Sequence, residues 1–245
     1  MVVDSHALIG KGVTWAEPER EVNYEPGELL EQAARAGIDR LCVVSPRTAD
    51  YKAANQYVAL VCAQHRDKLI GFAVHNPQTE AGRLRAMLDE EVKSMGLRAV
   101  RSDGPPTREL LDAATALQIP VVYYPRMTSA QSPARWYYTM ASEYPRVNFI
   151  LPHLGQYRSA VWWAHVEAID LVKRHPNVYV DTSGIGSLKY LEIAARELAP
   201  ERILFASFAP ELDARVGMET IRLLKLPQSE TKILGGNILR LLAWK

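Results

Sequence analysis

Eight short apolar, β-branched runs recur along 245 residues, each followed by a longer stretch of helical periodicity, and together they predict an α/β protein built as a (β/α)8 TIM barrel. The runs are apolar throughout rather than strictly alternating, the pattern of a parallel sheet covered by helices. No linker, low-complexity tract or charge block divides the chain, so residues 1–245 are read as one domain.

The strand candidates follow in order. VVD (2–4) opens the chain, and RLCVV (40–44), LIGFAVH (69–75) and GLRAVR (96–101) continue it. IPVVYY (119–124), VNFILPH (147–153), NVYVDTS (177–183) and RILFAS (202–207) complete the set. Amphipathic stretches lie between them at 26–37, 49–65, 107–117, 159–175 and 188–199. QSPARWYYTM (131–140) reads either as a fifth amphipathic helix or as a cover over the barrel mouth. On the 159–175 segment, at least one ring of the Trp162–Trp163 pair is expected to pack against the barrel's outer wall.

Composition narrows the function. Hydrophobic residues make up 48% and charged residues 23%, as in an ordinary globular protein. Lys and Arg total 29 against 28 Asp and Glu, which gives no electrostatic reason to expect nucleic acid or an anionic membrane as partner. Two cysteines, Cys42 and Cys62, imply no disulfide framework. The chain runs from Met1 straight into Val2-Val3-Asp4 with no basic-then-apolar leader, and no apolar run approaches the roughly 20 residues of a membrane span. A cytoplasmic protein is the expectation.

A barrel of this kind places chemistry at the C-terminal ends of its strands. That directs attention to His6, Ser45, His75, Asn76, Arg98, Arg101, Tyr124, Arg126, His153, Asp181, Ser183, Ser207 and Phe208. Asp4 and His6 share a strand face and invite a buried Asp–His hydrogen bond. His75, just before Asn76-Pro77, reads as a turn residue, and His65, His165 and His175 as solvated or helix-end residues. In GLRAVR, Arg98 falls in the buried run and Arg101 at the mouth; a guanidinium there needs a partner, either Asp103 or Asp181 or a ligand carboxylate or phosphate. Asp181 would serve as a general base if burial raised its pKa toward neutrality. GIGS (184–187) reads as a flexible loop, and Asn237 as the cap of the last helix.

VDSHALIG (3–10), IPVVYYP (119–125), FILPHLG (149–155), NVYVDTSG (177–184), RILFASFAP (202–210) and ILGGNILRLL (233–242), in this order, resemble the amidohydrolase-related (amidohydrolase-2) family of metal-dependent hydrolases. The resemblance implies a barrel that hydrolyses amides, esters or lactones, or removes carboxyl groups, with a divalent metal held by histidines and an aspartate. Residue by residue, little of that metal site is carried over. His6 matches the first histidine of His-x-His, but Leu8 stands at the second; Tyr124 takes the place of a fifth-strand histidine; His153 is retained; Phe208 replaces the eighth-strand aspartate. What the resemblance implies is a divergent member with a degraded metal site, acting on a small anionic substrate without the usual metal, or with zinc on His6 and His153 if any is bound. His153, Asp181 and Arg101 are the expected catalytic residues, and His6, Arg98, Tyr124, Arg126 and Phe208 the expected substrate-binding ones. The competing expectations are a catalytically silent member that binds a small molecule or a protein, and an intact metal enzyme using replacement ligands, its third ligand supplied by Asp181 or His75. Family resemblance also leaves room for a homo-oligomer.

Overall fold

In the computed structural model, residues 1–15, 18–125, 134–157, 161–226 and 228–243 are described. The barrel strands are β1 (Val3–Leu8), β4 (Arg40–Val44), β5 (Leu69–Gly71) with β6 (Ala73–His75), β7 (Val100–Ser102), β8 (Val121–Tyr123), β9 (Phe149–Leu151), β10 (Val178–Asp181) and β11 (Ile203–Leu204). All pair in parallel with their sequence neighbours. Phe72 N–H on the Val43 carbonyl (2.9 Å) and Ala73 N–H on that of Ala99 (2.9 Å) join β5 and β6 into one wall element. The ring closes where Ser5 N–H donates to the Phe205 carbonyl (2.9 Å) and Phe208 N–H to that of His6 (2.9 Å). Closure removes the edges of the barrel sheet.

The period-2 geometry of the strands sorts their side chains into two cores. Val43, Val100, Val121, Phe149 and Val180 face outward and pack under the helices, whereas Cys42, Phe72, Val122, Ile150 and Leu204 fill the barrel interior. The outer layer comprises α1 (Pro26–Ala36), α2 (Tyr51–Gln64), α3 (Leu84–Lys93), α4 (Arg108–Leu117), α5 (Ala134–Glu143), α6 (Trp163–Arg174), α7 (Leu188–Glu197) and α8 (Ala214–Leu223). Local chemistry sets their ends. Pro26 starts α1, where its missing N–H costs nothing, and Gly37 ends it in the left-handed conformation (φ 73°). Asp50 caps α2 by accepting from Ala53 N–H at 3.0 Å. A final short helix, α9 (Asn237–Leu241), buries Ile238 and Leu241 with Val3, Tyr179 and Leu204 and closes the N-terminal end.

Sequence periodicity does not reveal one insertion. After β1 the chain forms an antiparallel hairpin, β2 (Gly10–Val13) and β3 (Glu21–Tyr24), over the opposite, C-terminal mouth. Gly12 makes this crossing feasible, because a Cβ there would stand 2.2 Å from the Arg47 carbonyl oxygen. Glu211 clamps the hairpin, accepting from Arg20 (3.2 and 2.8 Å) and from the Tyr24 hydroxyl.

Several sequence expectations are corrected. Of the Trp162–Trp163 pair, Trp162 is exposed and Trp163 only half-buried, because α6 turns Ala164, Ala168 and Leu171 inward instead. His165 is not solvated: it lies in the first turn of α6, buried, with Nδ1 2.9 Å from the Leu154 carbonyl. The Asn237 side chain does not cap its helix; it donates to the carbonyls of Pro200 and Ile203, tying α9 to β11. His75 is not a turn residue. It ends β6 pointing outward, fully buried, with Nδ1 3.1 Å from Glu80 and Nε2 2.7 Å from Glu91. No helix is long and apolar enough to cross a membrane among the described residues.

Candidate active site

β1 carries Asp4 and His6 on its inner face, and both are buried. The expected bond between the two side chains does not form. Asp4 Oδ1 instead accepts the N–H groups of His6 and Ser207 (3.0 Å each), and its Oδ2 accepts from the Ser207 hydroxyl. Burial drives the Asp4 carboxyl up to about 7 despite these donors. The His6 ring reaches across the barrel, placing Nδ1 3.1 Å from Asp181 Oδ2 and Nε2 against Arg101 Nη1. A guanidinium only donates, so Nε2 carries the lone pair and the ring proton sits on Nδ1, toward Asp181. Burial and the Arg101 charge lower the His6 pKa, keeping the ring neutral.

Arg101, on the inner face of β7, is 1% exposed. Its Cζ lies 4.0 Å from the centroid of the Trp15 ring, whose indole N–H donates to the Ser45 carbonyl at 3.0 Å. Neither expected partner binds it directly. Asp181 is taken by His6, and Asp103 by the Tyr51 hydroxyl (2.7 Å) and Arg47 (3.4 Å). Arg101 Nε and Nη2 are buried without a hydrogen-bond partner. Burial lowers the guanidinium pKa to about 10, and the charges of Asp181 and Asp103 limit the fall.

His153 follows β9 in a left-handed conformation (φ 59°), unusual for a residue with a side chain. Asp181 holds it there: Oδ1 accepts from His153 N–H (2.8 Å), Ser183 N–H (3.0 Å) and the Ser183 hydroxyl (2.6 Å). His153 Nδ1 lies 3.0 Å from the Ser183 carbonyl, which only accepts, so the proton is on Nδ1 and the lone pair on Nε2. Burial brings this histidine down to about 3, with Asp181 pulling the other way. Gly184, at φ 59°, is required beside it, since a Cβ would stand 2.5 Å from the Tyr157 ring and 3.3 Å from His153 Nδ1. The anticipated rise of the Asp181 pKa is reversed. Burial alone would raise it, but donors from His6 and Ser183 and the nearby histidines hold it well below the usual carboxylate range.

Aromatic rings line the remaining sides. Phe208 lies edge-on to His6 and His153, 4.9 Å from each, while Tyr124 (5.1 Å) and Tyr157 (5.0 Å) flank His153. Tyr157 N–H donates to the Tyr124 hydroxyl at 3.1 Å. His6, Arg101, His153, Asp181 and Phe208 thus converge, with Tyr124 adjacent. Arg98 does not join them: it is exposed and precedes β7, which begins only at Val100. Arg126 lies outside the described residues. Trp15 and Tyr157 were not anticipated; their only signal is position, in loops that follow C-terminal strand ends.

The described residues contain one group able to offer three ligand atoms to a metal, His6, His153 and Asp181, with those atoms within 4.8 Å of one another. The cavity bordered by His6, Arg101 and Asp181 measures about 10 Å³, enough for about one water. A far larger groove, about 840 Å³, lies outside the barrel between α2 and α3 and shares no residue with this cluster.

Known proteins place the chain. No curated protein sequence matches it. Solved structures align over 99% of it. The 5-carboxyvanillate decarboxylase of Sphingomonas paucimobilis does so at 16% identity, 98% of its own length and a TM-score of 0.76. A dihydroxybenzoic acid decarboxylase of Polaromonas, holding manganese and the inhibitor 2-nitroresorcinol, aligns at 16% identity, 96% of its length and a TM-score of 0.76. A probable 2-pyrone-4,6-dicarboxylic acid hydrolase of Acinetobacter baumannii with bound citric acid aligns at 14% identity, 99% of its length and a TM-score of 0.72. These likenesses establish the TIM-barrel fold. The family model described as Amidohydrolase matches residues 13–244, and the chain belongs to the amidohydrolase family.

Proposed function

We propose that this chain acts on a small carboxylate-bearing substrate, by hydrolysis or decarboxylation of the amidohydrolase type, and that Arg101 supplies the positive charge of the site in place of a resident divalent ion. The observation that carries the reading is the Arg101 side chain. It is buried, bonded through Nη1 to His6, and left with two further donor nitrogens, Nε and Nη2, that have no partner. A buried donor without an acceptor is costly, and a carboxylate is the acceptor whose geometry fits a guanidinium fork.

The donor set does not fit a resident metal with Arg101 in place. Catalytic zinc takes three protein ligands with available lone pairs. Both ring nitrogens of His6 are engaged, Asp181 Oδ1 already accepts three hydrogen bonds and Oδ2 a fourth, and Phe208 has no donor atom to offer. In this reading Arg101 anchors and polarises the substrate carboxylate. His153 presents its Nε2 lone pair to a proton, and Asp181 and Ser183 fix the ring's tautomer and direction. Proton transfer by a positioned side chain contributes on the order of 10²–10⁴-fold, and a histidine at about 3 belongs at the weak end.

That depressed basicity, together with the narrow cavity, favours a second reading, a silent member that binds a carboxylate without turning it over. One assay separates the two. Aromatic and pyrone carboxylates, lactones and esters are offered to the wild type, Arg101→Met and His153→Gln in chelator-containing buffer. Turnover that survives chelator and falls at least about tenfold in both variants is the expected result. Carboxylate-dependent stabilisation without turnover, lost in Arg101→Met, establishes the second reading. Activity that needs added divalent ion overturns the metal-free account.

A further inference from the structure

Building on that metal-free reading, we propose that Arg101 is an internal stand-in for a divalent ion, and that its guanidinium is what keeps His6, His153 and Asp181, already drawn together, from taking one. Three observations combine. The three groups come from separate barrel elements, yet their ligand atoms already lie within 4.8 Å of one another. Donors around a tetrahedral zinc at about 2.1 Å stand roughly 3.4 Å apart, so an adjustment of about 1 Å or a little more completes the set. Arg101 Nη1 takes the His6 Nε2 lone pair, which forces the ring proton onto Nδ1, the nitrogen 3.1 Å from Asp181 whose lone pair a metal between them would need. Its fixed charge, buried where water screens little, repels a second cation. Cys42, Phe72 and Val122 line the same small cavity as Arg101, so an uncharged side chain at this position meets compatible surroundings.

Removing the charge should therefore unmask affinity for a cation, whereas keeping it should not. The probe is Co²⁺, titrated into purified protein and followed by its visible ligand-field absorption, with equilibrium dialysis for stoichiometry. Wild type and Arg101→Lys are expected to show no ordered site. Arg101→Leu and Arg101→Met are both made so that the loss of one fold leaves the other to decide; near-ultraviolet circular dichroism verifies folding. Each is expected to bind one Co²⁺ per chain at least about 100-fold more tightly than wild type, with His153→Ala in the same background abolishing the band. A folded Leu or Met variant without Co²⁺ affinity, or an Arg101→Lys variant that binds as tightly as Arg101→Leu, overturns the inference while the metal-free reading stands. Stoichiometric Co²⁺ on the wild type, lost with His153→Ala, overturns both.

Discussion

Replacing Glu91 by glutamine tests the buried charge behind the barrel wall. His75, fully buried at the end of β6, is sandwiched between Glu80 and Glu91. Burial alone would lower its pKa, but the hydrogen bonds and charges of the two glutamates outweigh this and hold it at about 9, against 6.5 in the unfolded chain. A rise of that size corresponds to roughly 3 kcal/mol of stability. The sign is fixed by the direction of the shift. A raised folded pKa makes the contribution complete below pH 6.5 and drains it as pH climbs through about 9. With two carboxylates sharing the work, Glu91→Gln should cost about 1–2 kcal/mol at pH 6. Glutamine still accepts from Asn55, now 2.8 Å from Glu91 Oε1, and can donate to a neutral His75, so the variant keeps its local bonds at high pH. Urea unfolding at pH 6, 7, 8, 9 and 10 should show the gap between wild type and variant closing, or inverting, by pH 10. A gap of equal size at pH 6 and pH 10 would refute the argument.

Three further outcomes are expected. Because the folded His153 pKa lies near 3 and the unfolded value near 6.5, the unfolded chain binds the extra proton between them, and stability should fall by up to about 4–5 kcal/mol as pH drops through that window. His153→Asn, which tolerates the same left-handed backbone, should flatten the acid limb of the urea midpoints, and an unchanged slope would contradict the assignment. Trp15→Ala removes the ring over Arg101 and should destabilise the protein by about 3–5 kcal/mol in thermal or urea unfolding; a loss under about 1 kcal/mol would show that the indole is not part of the core. Arg98→Ala should leave carboxylate-dependent stabilisation unchanged and stability within about 0.5 kcal/mol, since the side chain is exposed and outside the site.

How far the sequence reaches is visible in particular residues. Apolar runs such as LCVV in β4 and VYV in β10 disclose the barrel, because a strand buried on both faces has few polar positions to blur it. Strand parity placed Asp4 and His6 together on the inner face, but it could not say which carboxylate would claim the imidazole. The answer, Asp181, lies 175 residues away. GLRAVR gave two arginines and no start point. β7 begins only at Val100, so Arg101 points inward while Arg98 stays outside. Apolar periodicity does not disclose the hairpin of β2 and β3, because Gly10 and Gly12 break its apolar run while allowing the crossing that seats Trp15 on Arg101. His75 resembled a turn residue because Pro77 follows it. Its partners Glu80 and Glu91 are five and sixteen residues on, and Glu91 sits on the buried face of α3 beside Leu84 and Leu88.

The space among His6, His153 and Asp181 holds either no cation, with Arg101 beside it, or a bound metal ion. A crystal of the wild-type protein grown with excess zinc, its anomalous difference map recorded above the zinc edge, distinguishes the two. The map should be flat there, with the Arg101 guanidinium resolved against His6 Nε2. A full-occupancy peak bonded to His6, His153 and Asp181, with Arg101 turned away, would contradict it.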